Sequence, residues 1–140
     1  MKKLRVIIVS LPGTWQRVLQ NNLEAYSFVD VIDTVGGTLS ASRLAIRHQP
    51  DVVLIDSSIP VDDAVVLIQT LKKDNSKTLS VVITDTTQQQ GKMSRSGADY
   101  AILSMNYETL MDEILNKLKE ALLDERVRSG IQDKTTQRSD

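Results

Sequence analysis

Asp51-Val-Val-Leu-Ile-Asp56-Ser-Ser-Ile-Pro60 is the stretch on which the reading of the fold turns. Four apolar residues, three of them β-branched, run into an aspartate, and the segment closes on a proline. A short continuous apolar run bounded by turn residues reads as a strand buried on both faces, the signature of a parallel sheet. Asp56 then stands at the carboxyl end of a central strand. In open α/β sheets that edge is where ligands bind, so the remaining sequence is read for what surrounds this aspartate.

Upstream, Leu4 to Val9 is a β-branched run that makes a first strand. Ser10-Leu11-Pro12-Gly13 is turn chemistry, and Thr14 is placed to cap the helix that follows. Trp15, Val18, Leu19, Leu23 and Tyr26 recur at helical spacing, predicting a helix to about Ala25 or Tyr26. Phe28 to Val35 is a second strand, interrupted by Asp30 and Asp33 and so expected near an edge. Ala41, Leu44, Ala45 and His48 share one face of a second helix, which Pro50 ends. Downstream, Asp62 is expected to cap a third helix on Ala64, Leu67, Ile68 and Leu71. Leu79 to Ile83 is a fourth strand. The polar segment Gln88 to Ser96, with Gly91 inside it, predicts a short, weak helix. A fifth strand follows at about Tyr100 to Leu103, and the longest helix at about Tyr107 to Arg126.

Five alternations of strand and helix with short connections predict an α/β fold, a five-stranded parallel sheet that is doubly wound and flavodoxin-like. It forms a single domain over residues 1–126. Residues 127–140 are polar and without periodicity, and read as a flexible tail or the start of a linker.

Composition narrows the function. The 140 residues suit one core, and 41% hydrophobic with 25% charged residues is ordinary globular composition. A net charge of −1 provides no global basic footprint for nucleic acid or for a membrane surface. With no cysteine there is neither disulfide nor thiolate metal site, and a single histidine excludes a multi-histidine cluster. The apolar stretch after Met1-Lys2-Lys3 stops at Ser10, too short for a secretory signal, and the expectation is a cytoplasmic protein.

From Leu4 to about Leu123 the chain resembles the receiver domain of bacterial two-component response regulators. Pro50 to Pro60 is similar to the family's strand that ends in the phospho-accepting aspartate and is followed by an Ile-Pro or Met-Pro pair. Gly97-Ala98-Asp99-Tyr100 resembles the opening of the family's fifth strand, one residue short, and Thr84 suits the position of its hydroxyl residue. Ala64 stands where the family usually has glycine. The resemblance implies a Mg²⁺ site built from two adjacent acids after the first strand together with the acceptor aspartate. Those acid positions fall on Ser10 and Leu11, neither of which is a carboxylate ligand for a hard cation. The lysine that would close over a phosphoryl group falls on Leu103 or Ser104, depending on the residue counted from. An aspartate attacking an anionic phosphoryl group needs cations to neutralise the developing charge.

Two readings of Asp56 follow: a residual phosphoacceptor in a rearranged site, or a carboxylate satisfied at a strand end by water, by Ser58 or by a helix N-terminus. Thr84 reads as a strand-end hydroxyl, and Asp85 as an extra acid at the same edge that could join Asp56 in a rebuilt cation site. Ser10 to Thr14 also loosely resembles the phosphate-holding loop of flavodoxins, with Trp15 and Tyr100 available to stack on a cofactor. The reading adopted is an atypical receiver that lacks catalysis, metal and cofactor and works by binding proteins, with an attached output domain as one such partner. Neither nucleic acid nor membrane is a direct partner. On the last helix Met111, Leu115 and Leu122 lie beside the inward row Leu110, Ile114, Leu118 and Ala121. They widen the apolar stripe and are candidates for a homodimer interface.

Overall fold

The computed structural model describes residues 3–104 and 106–128, apart from the Tyr107 side chain. Ten elements alternate as the sequence pattern requires: β1 (Leu4–Val9), α1 (Thr14–Glu24), β2 (Val29–Val35), α2 (Thr38–His48), β3 (Val52–Ile55), α3 (Val61–Asp74), β4 (Leu79–Thr84), α4 (Thr87–Arg95), β5 (Tyr100–Leu103) and α5 (Tyr107–Leu123). The strands form one parallel sheet in the order β2-β1-β3-β4-β5. The chain winds outward from β1 to β2, then crosses back to β3 on the other side of β1. The carboxyl ends of β1 and β3 therefore flank the point where the winding reverses, the usual place for a crevice in such sheets.

Side-chain alternation explains why the central strands read as continuous apolar runs. Leu4, Val6 and Ile8 of β1, Val52 and Leu54 of β3, and Val81 and Ile83 of β4 face α1 and α5, where Leu19, Leu23, Ile114 and Leu118 complete one core. Ile7, Val9, Val53, Ile55 and Val82 point the other way, against Ala41 and Ala45 of α2, Leu67, Ile68 and Leu71 of α3, and Met93 of α4. Each strand thus feeds two cores with a period of two. As expected, β2 is an edge strand, and its pairing with β1 slips between Val6 and Ile7, where Ile32 is the extra residue. The loop after β1 is packed tightly on the end of β2: a Cβ on Gly36 would lie 2.8 Å from Pro12 Cδ.

Two expected caps are not made. Helix α1 begins one residue earlier, with Gly13 as its N-cap and Thr14 already helical; no side chain caps its first turn. Helix α3 starts from Pro60, and Asp62 lies within the first turn, where its charge favours the positive helix end without a capping bond. Helix α4 has the polar character foreseen for it: Met93 is its one buried residue, and Thr86 caps it by accepting a hydrogen bond from the Gln89 amide. Among the described residues no helix is long and apolar enough to cross a membrane.

The C-terminal end differs from expectation. Helix α5 stops at Leu123, not near Arg126, because Asp124 is extended (φ −69°, ψ 137°). A further helical turn follows and returns Val127 to the core at 1% exposure, so the fold continues past the boundary expected after Arg126. Residues 129–140, the rest of the expected tail, lie outside the described residues. Arg126 anchors the turn: its Nε and Nη2 donate to the Asp124 carboxylate (both 3.1 Å), and its Nη1 donates to Asp99 Oδ1 at 2.8 Å. The Arg126 hydrogen bonds hold the Asp124 carboxyl below the usual carboxylate range. A carboxyl with a depressed folded-state pKa contributes stability above its unfolded value, about 4, and loses it as pH falls through the folded value. The fall in urea midpoint between about pH 7 and about pH 3 should therefore be smaller in Asp124→Asn than in the native chain. Equal falls would show that the turn contributes nothing to acid sensitivity.

Candidate functional site

At the carboxyl end of β3, Asp56 is buried to 2% exposure. Its amide donates to the Val9 carbonyl (2.9 Å), extending the β1–β3 pairing by one step and holding the side chain over the end of β1. Three donors meet the carboxylate there. Ser10 Oγ donates to Oδ2 at 2.9 Å, the Ser58 amide donates to the same oxygen at 3.2 Å, and Trp15 Nε1 donates to Oδ1 at 2.8 Å. Each comes from a different element: the residue that ends β1, the turn after β3, and the first turn of α1. A second tier fixes these donors. The Leu11 amide donates to Ser58 Oγ (3.0 Å), and Gln16 Nε2 donates to the Ser10 carbonyl (2.7 Å).

All three donors are uncharged. A carboxylate offers about four lone-pair directions, so this arrangement takes most of them. Hydroxyl, indole and amide present the positive end of an X–H dipole to the oxygens, along the directions from which a cation would approach. The residues present do not fit a divalent cation. Ser10 contributes a hydroxyl already spent on Asp56, and Leu11 contributes an amide and a side chain 46% exposed. Indole N–H has no acceptor capacity. Among the described residues no group of three or more acidic or histidine side chains is placed to hold a metal ion.

The remaining sequence-predicted residues lie at the carboxyl ends of β4 and β5, on the side of β3 away from β1. Thr84 is buried, and its hydroxyl donates to the Ile102 carbonyl at 3.0 Å, bridging the two strands. Leu103 pairs with Thr84, and the Ser104 amide donates to the Thr84 carbonyl at 2.8 Å, so both continue the sheet. Asp85 is exposed, and its amide donates to Gln89 Oε1 at 3.1 Å. Asp56, Ser10 and Ser58 are thus brought together; Thr84, Leu103 and Ser104 form their own strand-end contacts.

No family model matches the chain. In sequence it is similar to a protein-glutamate methylesterase/protein-glutamine glutaminase of Caldanaerobacter subterraneus subsp. tengcongensis, at 28% identity over 133 residues. The match takes in 87% of this chain and 36% of that protein, so the chain spans about a third of its relative's length. In structure it is similar to the response regulator domain of CheB from Thermotoga maritima, with a TM-score of 0.77 and 20% identity over 89% of this chain and 99% of that one. The REC domain of RcsB from Salmonella enterica serovar Typhimurium superposes with a TM-score of 0.72 at 17% identity, covering 91% of this chain and 98% of that one. The response regulatory domain of mrkE from Klebsiella pneumoniae does so at 0.69 and 24% identity, covering 84% and 96%. The fold is that of a receiver domain.

Within the receiver fold, Trp15 is the residue that sequence reasoning missed. Helical periodicity places it on an apolar face, and its ring does pack against the α1–α5 core. Its polar tip carries the other information: an indole N–H in the first turn after β1 stands beside the carboxyl end of β3, and a buried indole N–H finds a partner. Trp15→Phe keeps the ring and removes one bond to the buried carboxylate, and Ser10→Ala removes another. Each should lower unfolding stability by about 1–3 kcal/mol. Urea denaturation measures this, and unchanged midpoints in both variants would mean that water replaces these donors without cost.

Proposed function

We propose that this chain is an atypical receiver domain, a phosphorylation-independent protein-interaction module in signalling with no catalysis of its own. The observation that supports this reading is the set of uncharged donors on Asp56. A phosphoacceptor needs a free lone pair on its nucleophilic oxygen and cations around the transferring group. Here the carboxylate oxygens are engaged, Ser10 and Leu11 stand where the receiver resemblance implies metal-binding acids, and Leu103 or Ser104 stands where it implies lysine. What the fold retains is a two-core scaffold with surfaces available to other proteins.

The chain's similarity to one third of a longer protein supports its working as one module of a larger regulator, with an attached output domain as a partner. The rival reading, a phosphorylatable receiver with Asp85 in a rearranged site, gains little support from Asp85's exposed position. A flavodoxin-like cofactor site would use Trp15 or Tyr100 for stacking, and it gains little support here, since both rings pack against the core that faces α1 and α5. On incubation with acetyl phosphate and Mg²⁺ the intact mass should not change. A stoichiometric, Mg²⁺-dependent adduct that disappears in Asp56→Asn would overturn the reading.

Self-association through α5 is the second part of the proposal. Leu110, Ile114, Leu118 and Ala121 are buried in the chain's own core, and Met111 and Leu122 pack partly against it. Leu115 is half-buried and belongs to neither core. It is therefore the residue to test. Leu115→Glu should remain folded and sediment as a monomer where the native chain sediments as a dimer. A native chain that is monomeric at high micromolar concentration would remove α5 as an interface.

A further inference from the structure

We propose that Trp15 is the residue that excludes divalent cations from Asp56, acting as an intramolecular substitute for the cation. The inference rests on the reading of Asp56 as a non-accepting carboxylate, and it assigns the cause to one side chain. Loss of acids at positions 10 and 11 weakens a cation site but leaves the Asp56 oxygens open to one. The indole occupies the oxygen that the other donors leave: Trp15 Nε1 donates to Oδ1 at 2.8 Å, while Ser10 and the Ser58 amide hold Oδ2, so that three of about four lone-pair directions are taken.

The indole is also held where it is. Trp15 is the second residue of α1, and its ring packs against the core that Leu19 and Leu23 of the same helix enter fully buried. Moving the N–H away from Asp56 therefore means lifting the ring from that packing. A Mg²⁺ or Mn²⁺ ion seated on Oδ1 needs the oxygen's lone pair and near-octahedral space around it. The indole offers the ion neither a lone pair nor that space, since its nitrogen is donor-only. Acids placed at the two positions then bind a cation only weakly while Trp15 remains.

Calorimetric titration of the full chain with Mn²⁺ tests this. The comparison is Ser10→Asp/Leu11→Asp against Ser10→Asp/Leu11→Asp/Trp15→Phe, each checked for folding by circular dichroism. The triple variant should bind Mn²⁺ at least about tenfold more tightly, the factor that one charge-assisted hydrogen bond carries. Equal affinities, or no binding by the triple variant, would overturn the assignment to Trp15. Should the buried Ser10→Asp change prevent folding, Leu11→Asp against Leu11→Asp/Trp15→Phe makes the same comparison, with the same two results deciding it. These outcomes are independent of whether the native chain accepts phosphate: a phosphorylated native chain defeats the functional reading, whereas equal Mn²⁺ affinities defeat only the role of Trp15.

Discussion

A carboxylate at 2% exposure has to be satisfied from within the protein, because burial removes the water that would otherwise hydrate it. In this chain the solution is three uncharged donors, and much of the geometry at the carboxyl edge of the sheet follows from it. Ser10 must end β1 with its hydroxyl toward β3, the turn at Ser58 must present its amide, and α1 must start so that its second residue reaches the same carboxylate. The strand order makes this meeting possible. β1 and β3 are neighbours whose following segments leave in opposite directions, and Asp56 fills the gap between them.

The same arrangement bears on how a receiver fold satisfies the acid at the end of its central strand. An anionic strand end needs compensation, and here dipoles of hydroxyl, indole and amide provide it without adding charge. In the functional reading proposed for this chain, signalling then depends on which surfaces the scaffold presents and what is attached to it, not on a modification that redistributes its conformations. That scaffold has two cores, one on each face of the sheet.

The fold was legible because its signals are redundant. Buried parallel strands produce uninterrupted runs such as Val52 to Ile55, and helices between them carry period-3.6 stripes, so each element is read independently of its neighbours. Helix starts were less legible: Thr14 and Asp62 are residue types that favour caps, but the non-helical backbone at Gly13 and Pro60 sets where α1 and α3 begin. The stop of α5 at Asp124 carries a local signal that periodicity overrode: Asp124 caps the turn after it by accepting a hydrogen bond from the Arg126 amide at 2.9 Å, and the apolar stripe of α5 masks that break. At the site, Asp56 and its neighbour Ser10 could be named from pattern and resemblance, since both lie at strand ends. The Trp15 contact could not, because its apolar ring dominates a periodicity argument while its single N–H decides the chemistry.

Trp15 is the chain's one tryptophan, so its indole N–H gives an unambiguous resonance in a ¹⁵N–¹H spectrum. The most direct measurement of the account is that resonance before and after addition of Mg²⁺ with beryllofluoride, a mimic of the phosphoryl group. The account predicts a downfield indole proton, slow to exchange with water and unmoved by the addition. An indole signal that exchanges rapidly in the free protein, or that shifts together with the Asp56 and Ser58 amides when the mimic is added, would contradict it.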